Sequence, residues 1–144
     1  MPEKLLGTNF FICERVLREE DGVLSIIRLA DIFYITLIAD QPPEKQGLQI
    51  TVLVQLKAQP EDQSEHSVQL FLTRPDGTTK PVSDPVAAPV KSSIPGTPGG
   101  FNVHAQIGVA APQIGVHYLS LFVDGVENAK TAFTLLERKL EANS

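Results

Sequence analysis

The residue types most often used for catalysis and metal binding are few in this chain and far apart. It has three histidines, His66, His104 and His117, and one cysteine, Cys13. Zinc sites need several Cys or His ligands at short, regular spacing, which this set lacks. His104 and His117 fall in neighbouring predicted strands, so their convergence across a hairpin is an open alternative. Burial frequencies favour solvated surface histidines.

Cys13 is predicted to be a buried and inert thiol. It stands between Ile12 and Glu14 in a predicted strand, and no neighbouring histidine or helix N-terminus would activate it as a nucleophile. A single cysteine also forms no intrachain disulfide. Together with an N-terminus that lacks the apolar core of a signal peptide, this predicts a cytoplasmic protein, with leaderless export as the alternative.

Two acidic segments, 19–21 and 61–65, are the other candidates for chemistry. Glu19, Glu20 and Asp21 would cup a calcium ion with Glu61, Asp62 and Glu65 only if the two loops met, and their spacing is not that of an EF-hand. A glycosidase carboxylate pair depends on distance in space, which spacing along the chain does not give. We expect solvated acidic turns.

The sequence also gives no support for a phosphate-binding loop or for an aromatic surface that binds sugars or bases. The glycine-rich segment 96–100 has neither the Gly-Lys-Ser/Thr ending nor the following helix of a phosphate loop. The chain has no Trp, and aromatic residues make up 6% of it, which is poor material for carbohydrate platforms or base stacking. The sequence therefore predicts no catalytic, cofactor-binding or metal-binding residues and no cofactor.

Period-two alternation predicts the strands that would carry these residues. In 48–58, apolar residues alternate with mostly polar ones, as in a half-buried antiparallel strand. Segment 101–109 alternates in the same way, and 8–18 and 67–74 are further predicted strands. Runs 116–123 and 127–136 flank Asp124-Gly125, the strongest short-range hairpin signal.

Segment 24–39 is ambiguous between strand and helix. Its β-branched and aromatic residues favour two short strands, broken near Ala30-Asp31 by a bulge at which the chain changes sheets. A buried helix of two or three turns is the alternative. Arg28 and Asp31 interrupt the segment, and it is too short to span a bilayer.

Segment 81–100 contains five prolines and three glycines, so it is not a central strand. We expect a long Pro/Gly-rich surface loop or an edge segment; loops of this length are often functional. Residues 1–7 and 137–144 are predicted to fray.

These patterns predict one all-β domain over 1–144, an antiparallel two-sheet sandwich of immunoglobulin-like type with about eight strands. The chain has 144 residues, 42% of them hydrophobic and 20% charged, enough to bury a core without disulfides or metals. Its net charge of −5 disfavours a nucleic-acid surface, and its scattered basic residues form no polybasic membrane patch.

Tyr118 opens the penultimate strand, where immunoglobulin-like domains often place a structural "tyrosine corner"; a surface tyrosine in a binding patch is the alternative. In 116–123 both faces are apolar, which predicts coverage on both sides, for instance by a second subunit.

The chain resembles a family of small bacterial proteins known only as a domain of unknown function. The resemblance lies in Cys13-Glu14-Arg15, in Asp21-Gly22 with Ile26-Ile27, and in the segment from Gly115-Val116-His117-Tyr118 to Asp124-Gly125. It covers both ends of the domain and leaves the proline-rich middle unmatched. The resemblance implies an all-β domain and supplies no catalytic residues.

The sequence therefore favours a non-enzymatic protein-interaction or structural module that binds a protein partner or itself, and neither nucleic acid nor membrane. The alternative is a small-ligand-binding or hydrolytic domain with its site near the 81–100 loop and His104.

Overall fold

The structure is a computed structural model that describes residues 5–20, 23–36, 47–110 and 112–138, and it is all-β in these ranges. Ten strands lie in them. They are β1 (Leu5–Arg18), β2 (Leu24–Leu29), β3 (Ile32–Ile35), β4 (Gly47–Ala58), β5 (Glu65–Thr73), β6 (Thr79–Pro81), β7 (Val86–Pro89), β8 (Gly99–Ala110), β9 (Gly115–Val123) and β10 (Val126–Glu137). No helix of the described part is long and apolar enough to cross a membrane.

The described strands form a four-stranded and a six-stranded sheet. The four-stranded sheet has the order β2-β1-β4-β8, and the six-stranded sheet has the order β3-β10-β9-β5, with β6 and β7 both pairing with β5. The prediction of about eight strands is too low, because β6 and β7 also pair with β5. Strand β7 lies within the predicted 81–100 loop, so this part of the segment follows the edge-strand alternative.

The chain changes sheets between Ala30 and Asp31, as the composition of 24–39 predicts. Ala30 N donates to the carbonyl of Ile12 in β1 (3.0 Å), whereas the carbonyl of Asp31 accepts from Thr134 N in β10 (2.8 Å). Residues 37–39 of the predicted segment lie outside the described ranges. Strand β3 pairs with β10 in parallel, so the prediction of a purely antiparallel fold is wrong here; after the change of sheets, β3 runs in the direction of β10.

One hydrophobic core joins the two sheets. The inward residues of β4 predicted by alternation are in it: Val52, Val54 and Leu56 are 3% exposed or less, and they share a cluster with residues of β5, β9 and β10. Leu53, on the face expected to be polar, is also buried at 7%. Strand β4 is central, with Phe11 of β1 and His104 of β8 as partners of Leu53 on either side.

The β9–β10 hairpin turns at Asp124-Gly125, as predicted. Val123 pairs with Val126, so the loop has two residues. Asp124 has φ 52° and Gly125 has φ 80°, and positive φ at both positions identifies a type I′ turn, which matches the twist of the flanking strands.

The ends of the described chain differ in part from the prediction of fraying. Residues 5–7 are in β1, and Leu5 is 6% exposed. Glu137 is the last residue of β10. Residues 1–4 and 139–144 lie outside the described ranges.

Candidate functional site

Three titratable side chains meet where the β4–β5 loop approaches the β9–β10 turn. His66 Nε2 lies 2.7 Å from Asp62 Oδ2, and His66 Nδ1 lies 2.7 Å from Asp124 Oδ2. The side chains of Asp62 and His66 are 0% and 5% exposed, and that of Asp124 is 41% exposed. We call Asp62, His66 and Asp124 the histidine clamp.

Local structure places each member of the clamp. Asp62 is held by its backbone N–H, which donates to the carbonyl of Gln59 (3.0 Å), and its Oδ1 accepts from the backbone N–H of Ser64 (2.9 Å). His66 is the second residue of β5. Asp124 Oδ1 accepts from Ser67 N (2.9 Å), and Asp124 N donates to the carbonyl of Ser67 (2.8 Å). The clamp therefore ties a loop, a strand and a turn that are distant in sequence.

Burial and hydrogen bonding oppose each other in setting the charges of the clamp. Burial alone would raise the pKa of Asp62, but hydrogen bonds from Ser64 and His66 and the charge of His66 lower it to about 2. Burial would lower the pKa of His66, but its bonds to Asp124 and Asp62 and their charges raise it. The pKa of Asp124 is likewise lowered, since the bonds from His66 and Ser67 outweigh burial.

These contacts require an imidazolium. Ionised carboxylates only accept hydrogen bonds, and a neutral imidazole has one N–H, so two carboxylates can be bonded at once only when both ring nitrogens of His66 carry protons. The clamp thus holds one positive charge between two negative ones.

Ser64, His66 and Asp124 resemble a serine-hydrolase triad in outline. Ser64 Oγ lies 3.4 Å from His66 Nε2, and Asp124 bonds Nδ1. In a triad the Nε2 atom accepts the serine proton, but here Nε2 donates to Asp62 and has no free lone pair. The hydroxyl of Ser64 is bonded to Asp62 Oδ1 instead. The geometry is that of an ion-pair cluster and not of an activated nucleophile.

The clamp is also a poor metal site. Its two carboxylates bind opposite nitrogens of one ring, so the three groups do not converge on one point. Among the described residues no group of three or more His, Cys, Asp or Glu could hold a metal ion. Of the possible calcium site considered from the sequence, Asp21 lies outside the described ranges, and the carboxylate of Asp62 is hydrogen-bonded to His66.

The other histidines and the cysteine are separated by the fold. His104 is exposed on β8 of the four-stranded sheet, as expected. His117 is 0% exposed on β9 of the six-stranded sheet, so the expectation of a surface histidine is wrong for it, as it is for His66. The ring of His117 stacks on Phe133 at 4.8 Å. Cys13 is buried at 1%, and burial raises the pKa of its thiol, in line with an inert residue.

Burial also governs the charge of His117. It lowers the pKa of the ring, outweighing the bond in which Nδ1 donates to the carbonyl of Gly115 (3.2 Å). Nε2 is a buried atom without a hydrogen-bond partner in the described part of the structure. His117 is therefore a neutral core residue.

The outer face of the six-stranded sheet exposes a set of large apolar side chains. Tyr118 is 43% exposed there, which fits the surface-tyrosine alternative and not a structural corner. We call the set the tyrosine face: Ile32 (48%), Tyr34 (55%), Val116 (42%), Tyr118 (43%) and Leu136 (37%). Strand pairing makes it continuous, since Thr134 lies between Ile32 and Val116, and Leu136 pairs with Tyr34.

Two cations lie over the aromatic rings of the tyrosine face. Lys130 Nζ is 5.7 Å from the centroid of the Tyr118 ring, and the guanidinium carbon of Arg138 is 5.2 Å from that of Tyr34. Both distances are within the range of cation–π attraction. Lys130 Nζ also lies 3.6 Å from Glu127 Oε1, so this face combines exposed apolar surface with the Arg138 cation and a Lys130–Glu127 ion pair.

Sequence reasoning missed the clamp because its members are 62 residues apart at the extremes and no local pattern links them. The one available signal was the Asp-Gly turn: it fixed Asp124 at a sheet end, where a loop residue of another hairpin can reach it.

No protein-family model matches this chain, and no curated protein matches it. Among solved structures, it is similar to the Pseudomonas fluorescens alkylpurine DNA glycosylase AlkC bound to DNA containing an abasic site analog, at 10% identity and a TM-score of 0.44. The match covers 88% of this chain and 30% of the glycosylase chain. A likeness at this level carries no argument about fold or activity.

Proposed function

We propose that this chain is a non-enzymatic protein-interaction module of the cytoplasm, an immunoglobulin-like two-sheet sandwich that binds a protein partner through the tyrosine face. The observation that supports this most is the continuous exposure of Ile32, Tyr34, Val116, Tyr118 and Leu136 on one sheet face. Aromatic side chains supply much of the energy of protein interfaces, and contiguous apolar patches on soluble proteins often mark interaction sites.

The cations on this face suit a partner surface that carries acidic groups, with Arg138 as the main contact because Lys130 is already ion-paired with Glu127 (3.6 Å). Lys130 and Arg138 lie on the two tyrosine rings. A partner with apolar side chains ringed by Asp or Glu would satisfy both features.

The chemistry of the clamp argues against the hydrolytic alternative. Ser64 has no free imidazole to accept its proton, because Nε2 of His66 is bonded to Asp62; its hydroxyl donates to Asp62, whose pKa of about 2 makes it a weak base. His104, the histidine considered near the 81–100 segment, is exposed on the outer side of β8, and among the described residues it belongs to no group of three or more His, Cys, Asp or Glu that could hold a metal ion.

A quantitative pull-down from the native cells tests the proposal. The double variant Val116→Thr, Tyr118→Thr removes apolar surface while keeping β-branched side chains in the strand. We expect wild type to capture a defined protein in stoichiometric amount, and the double variant to lose most of that capture.

The matched control is Gln49→Thr, Lys57→Thr at exposed positions on β4 of the other sheet, which should capture as wild type does. Size-exclusion chromatography with light scattering reports whether the partner is a second copy. A strictly monomeric chain with no capture that depends on Val116 and Tyr118 would overturn the proposal.

A further inference from the structure

Strand β8 is a long, uncharged sheet edge. It is the last strand of the four-stranded sheet and pairs with β4 over its whole length, from Gly99 to Ala110. Its twelve residues include no proline and no Asp, Glu, Lys or Arg. Natural proteins normally protect sheet edges with short strands, prolines or charges, so an edge of this kind is a template for another strand.

The other edge strands of the described part do carry such protection. Strand β3 has four residues, β6 has three and contains Lys80 and Pro81, and β7 has four and ends at Pro89. Strand β2 contains Arg28. Among the described residues, only the start of β8 is covered: a Cβ on Gly99 would lie 1.7 Å from the carbonyl oxygen of Val90.

An apolar cavity opens beside this edge, between the two sheets. Its volume is about 70 Å³, and its walls are mainly aliphatic: Val54, Val68, Leu70, Val86, Val103, Ala105 and Leu121, with Gln69 and Ser83. Val86 is 44% exposed and Ala105 is exposed, so the mouth lies between β8 and the start of β7.

The size of the cavity suits one aliphatic side chain. It is several times the roughly 10–15 Å³ that one water needs, and about half of the roughly 150 Å³ apolar cavity that admits benzene. The polar groups of Ser83 already have hydrogen-bond partners: its hydroxyl accepts from Leu70 N (3.0 Å) and its carbonyl accepts from the side chain of Gln69 (3.1 Å). The cavity therefore offers dispersion contacts and no strong polar anchor.

We propose that residues 102–109 of β8 accept an extended segment of a partner protein as an added strand, with one Val-, Leu- or Ile-sized side chain of that segment filling the cavity. This is β-strand addition, in which main-chain bonds give affinity and pockets for alternate side chains give specificity. The charge of the edge defines the partner: an uncharged strand complements an uncharged edge, whereas a charged side chain at the cavity would be desolvated without a counter-ion.

A second copy of this chain is a worse occupant. If the β8 strands of two copies paired about a two-fold axis, each copy would offer the other only its own β8 side chains to fill the cavity. Ile107 and Val109 are already buried in their own core at 3% and 1%, and Val103 and Ala105 already line the cavity. No side chain would be left to enter either cavity.

A labelled peptide tests the proposal directly. The probe is a fluorescein-labelled peptide of alternating threonine and valine with a central leucine and a lysine at each end, titrated into the full chain and followed by fluorescence anisotropy. We expect binding, and protection of the 102–109 amides from hydrogen exchange. The same peptide with serine for leucine should bind about tenfold or more weakly, the worth of burying one branched aliphatic side chain.

Two variants locate the site. Ala105→Leu places a side chain in the cavity, so it should leave the melting temperature unchanged or higher and weaken peptide binding to the level of the serine peptide. Lys80→Ala, at an exposed position on β6 of the other sheet, should bind as wild type does. Three results would each overturn the proposal: no detectable binding at millimolar peptide, equal affinity for the leucine and serine peptides, or an Ala105→Leu variant that binds the leucine peptide as tightly as wild type does. The variant Val116→Thr, Tyr118→Thr should retain peptide binding, which separates this site from the tyrosine face.

Discussion

His66 owes its charge to the two carboxylates that flank it, and the stability of the clamp follows that charge. The pKa of His66 is raised above 6.5 and that of Asp62 is lowered from 3.8 to about 2. A raised histidine pKa contributes stability below about 6.5 that is lost as pH rises through the folded-state value. A lowered aspartate pKa contributes stability above about 3.8 that is lost as pH falls toward 2.

We therefore expect the clamp's contribution to the free energy of unfolding to be largest between about pH 4 and 6.5. Urea unfolding from pH 2.5 to 9 measures it. His66→Gln should lower the free energy of unfolding by about 3 kcal/mol at pH 6, since it leaves the buried carboxylate of Asp62 without its cation, and should flatten the decline above pH 6.5.

Asp124→Asn is the matched variant, because asparagine suits a type I′ turn and its oxygen can still accept from Ser67 N. Its decline above about pH 6.5 should be smaller than that of wild type and should end at a lower pH, since one of the two carboxylates that raise the pKa of His66 is gone. A wild-type profile that does not fall between pH 6.5 and 9 would contradict a charged His66.

At the scale of elements, Gly99 shows how the 81–100 segment is fastened to the sheet. A Cβ there would lie 1.7 Å from the carbonyl oxygen of Val90, a fully buried residue. Gly108, in the same strand, has nothing within 4 Å of its Cβ position.

We expect Gly99→Ala to lower the free energy of unfolding by about 1–3 kcal/mol, because backbone must shift to relieve the overlap. Gly108→Ala should be neutral or slightly stabilising, since alanine is less costly than glycine to order. Chemical denaturation of both variants measures the difference. Equal effects would show that residues 90–92 do not press on β8.

At the scale of the whole molecule, the shared core couples the two sheets. Phe133 of β10 is 1% exposed, meets Phe33 of β3 edge-on at 5.9 Å, and belongs to the same cluster as Ile12 and Val52 of the other sheet. Neither sheet has another covering layer for its inward residues in the described part.

We therefore expect one cooperative unfolding transition. Calorimetric and van't Hoff enthalpies should agree, and far-ultraviolet circular dichroism should coincide with tyrosine fluorescence. Two separate transitions would mean that one sheet survives without the other, contrary to a single core.

The sequence by itself determined the features that depend on neighbours along the chain. Alternation placed β4 and β8, an apolar run placed β9, the Asp-Gly pair placed the β9–β10 turn, and the break at Ala30-Asp31 placed the change of sheets. Each is local, because period-two burial, positive φ at two consecutive residues and loss of pairing are properties of short segments.

Only the tertiary structure decided the features that depend on residues far apart. The parallel pairing of β3 with β10, the burial of His66 and His117, and the exposure of Tyr118 follow from which strands pair and which face is covered. Three scattered chemical groups, Asp62, His66 and Asp124, became one charged cluster because the fold brings the loop residue Asp62 and the turn residue Asp124, 62 residues apart, to the same end of β5. Charge and burial at such a site depend on distance in space, which alternation along the chain does not encode.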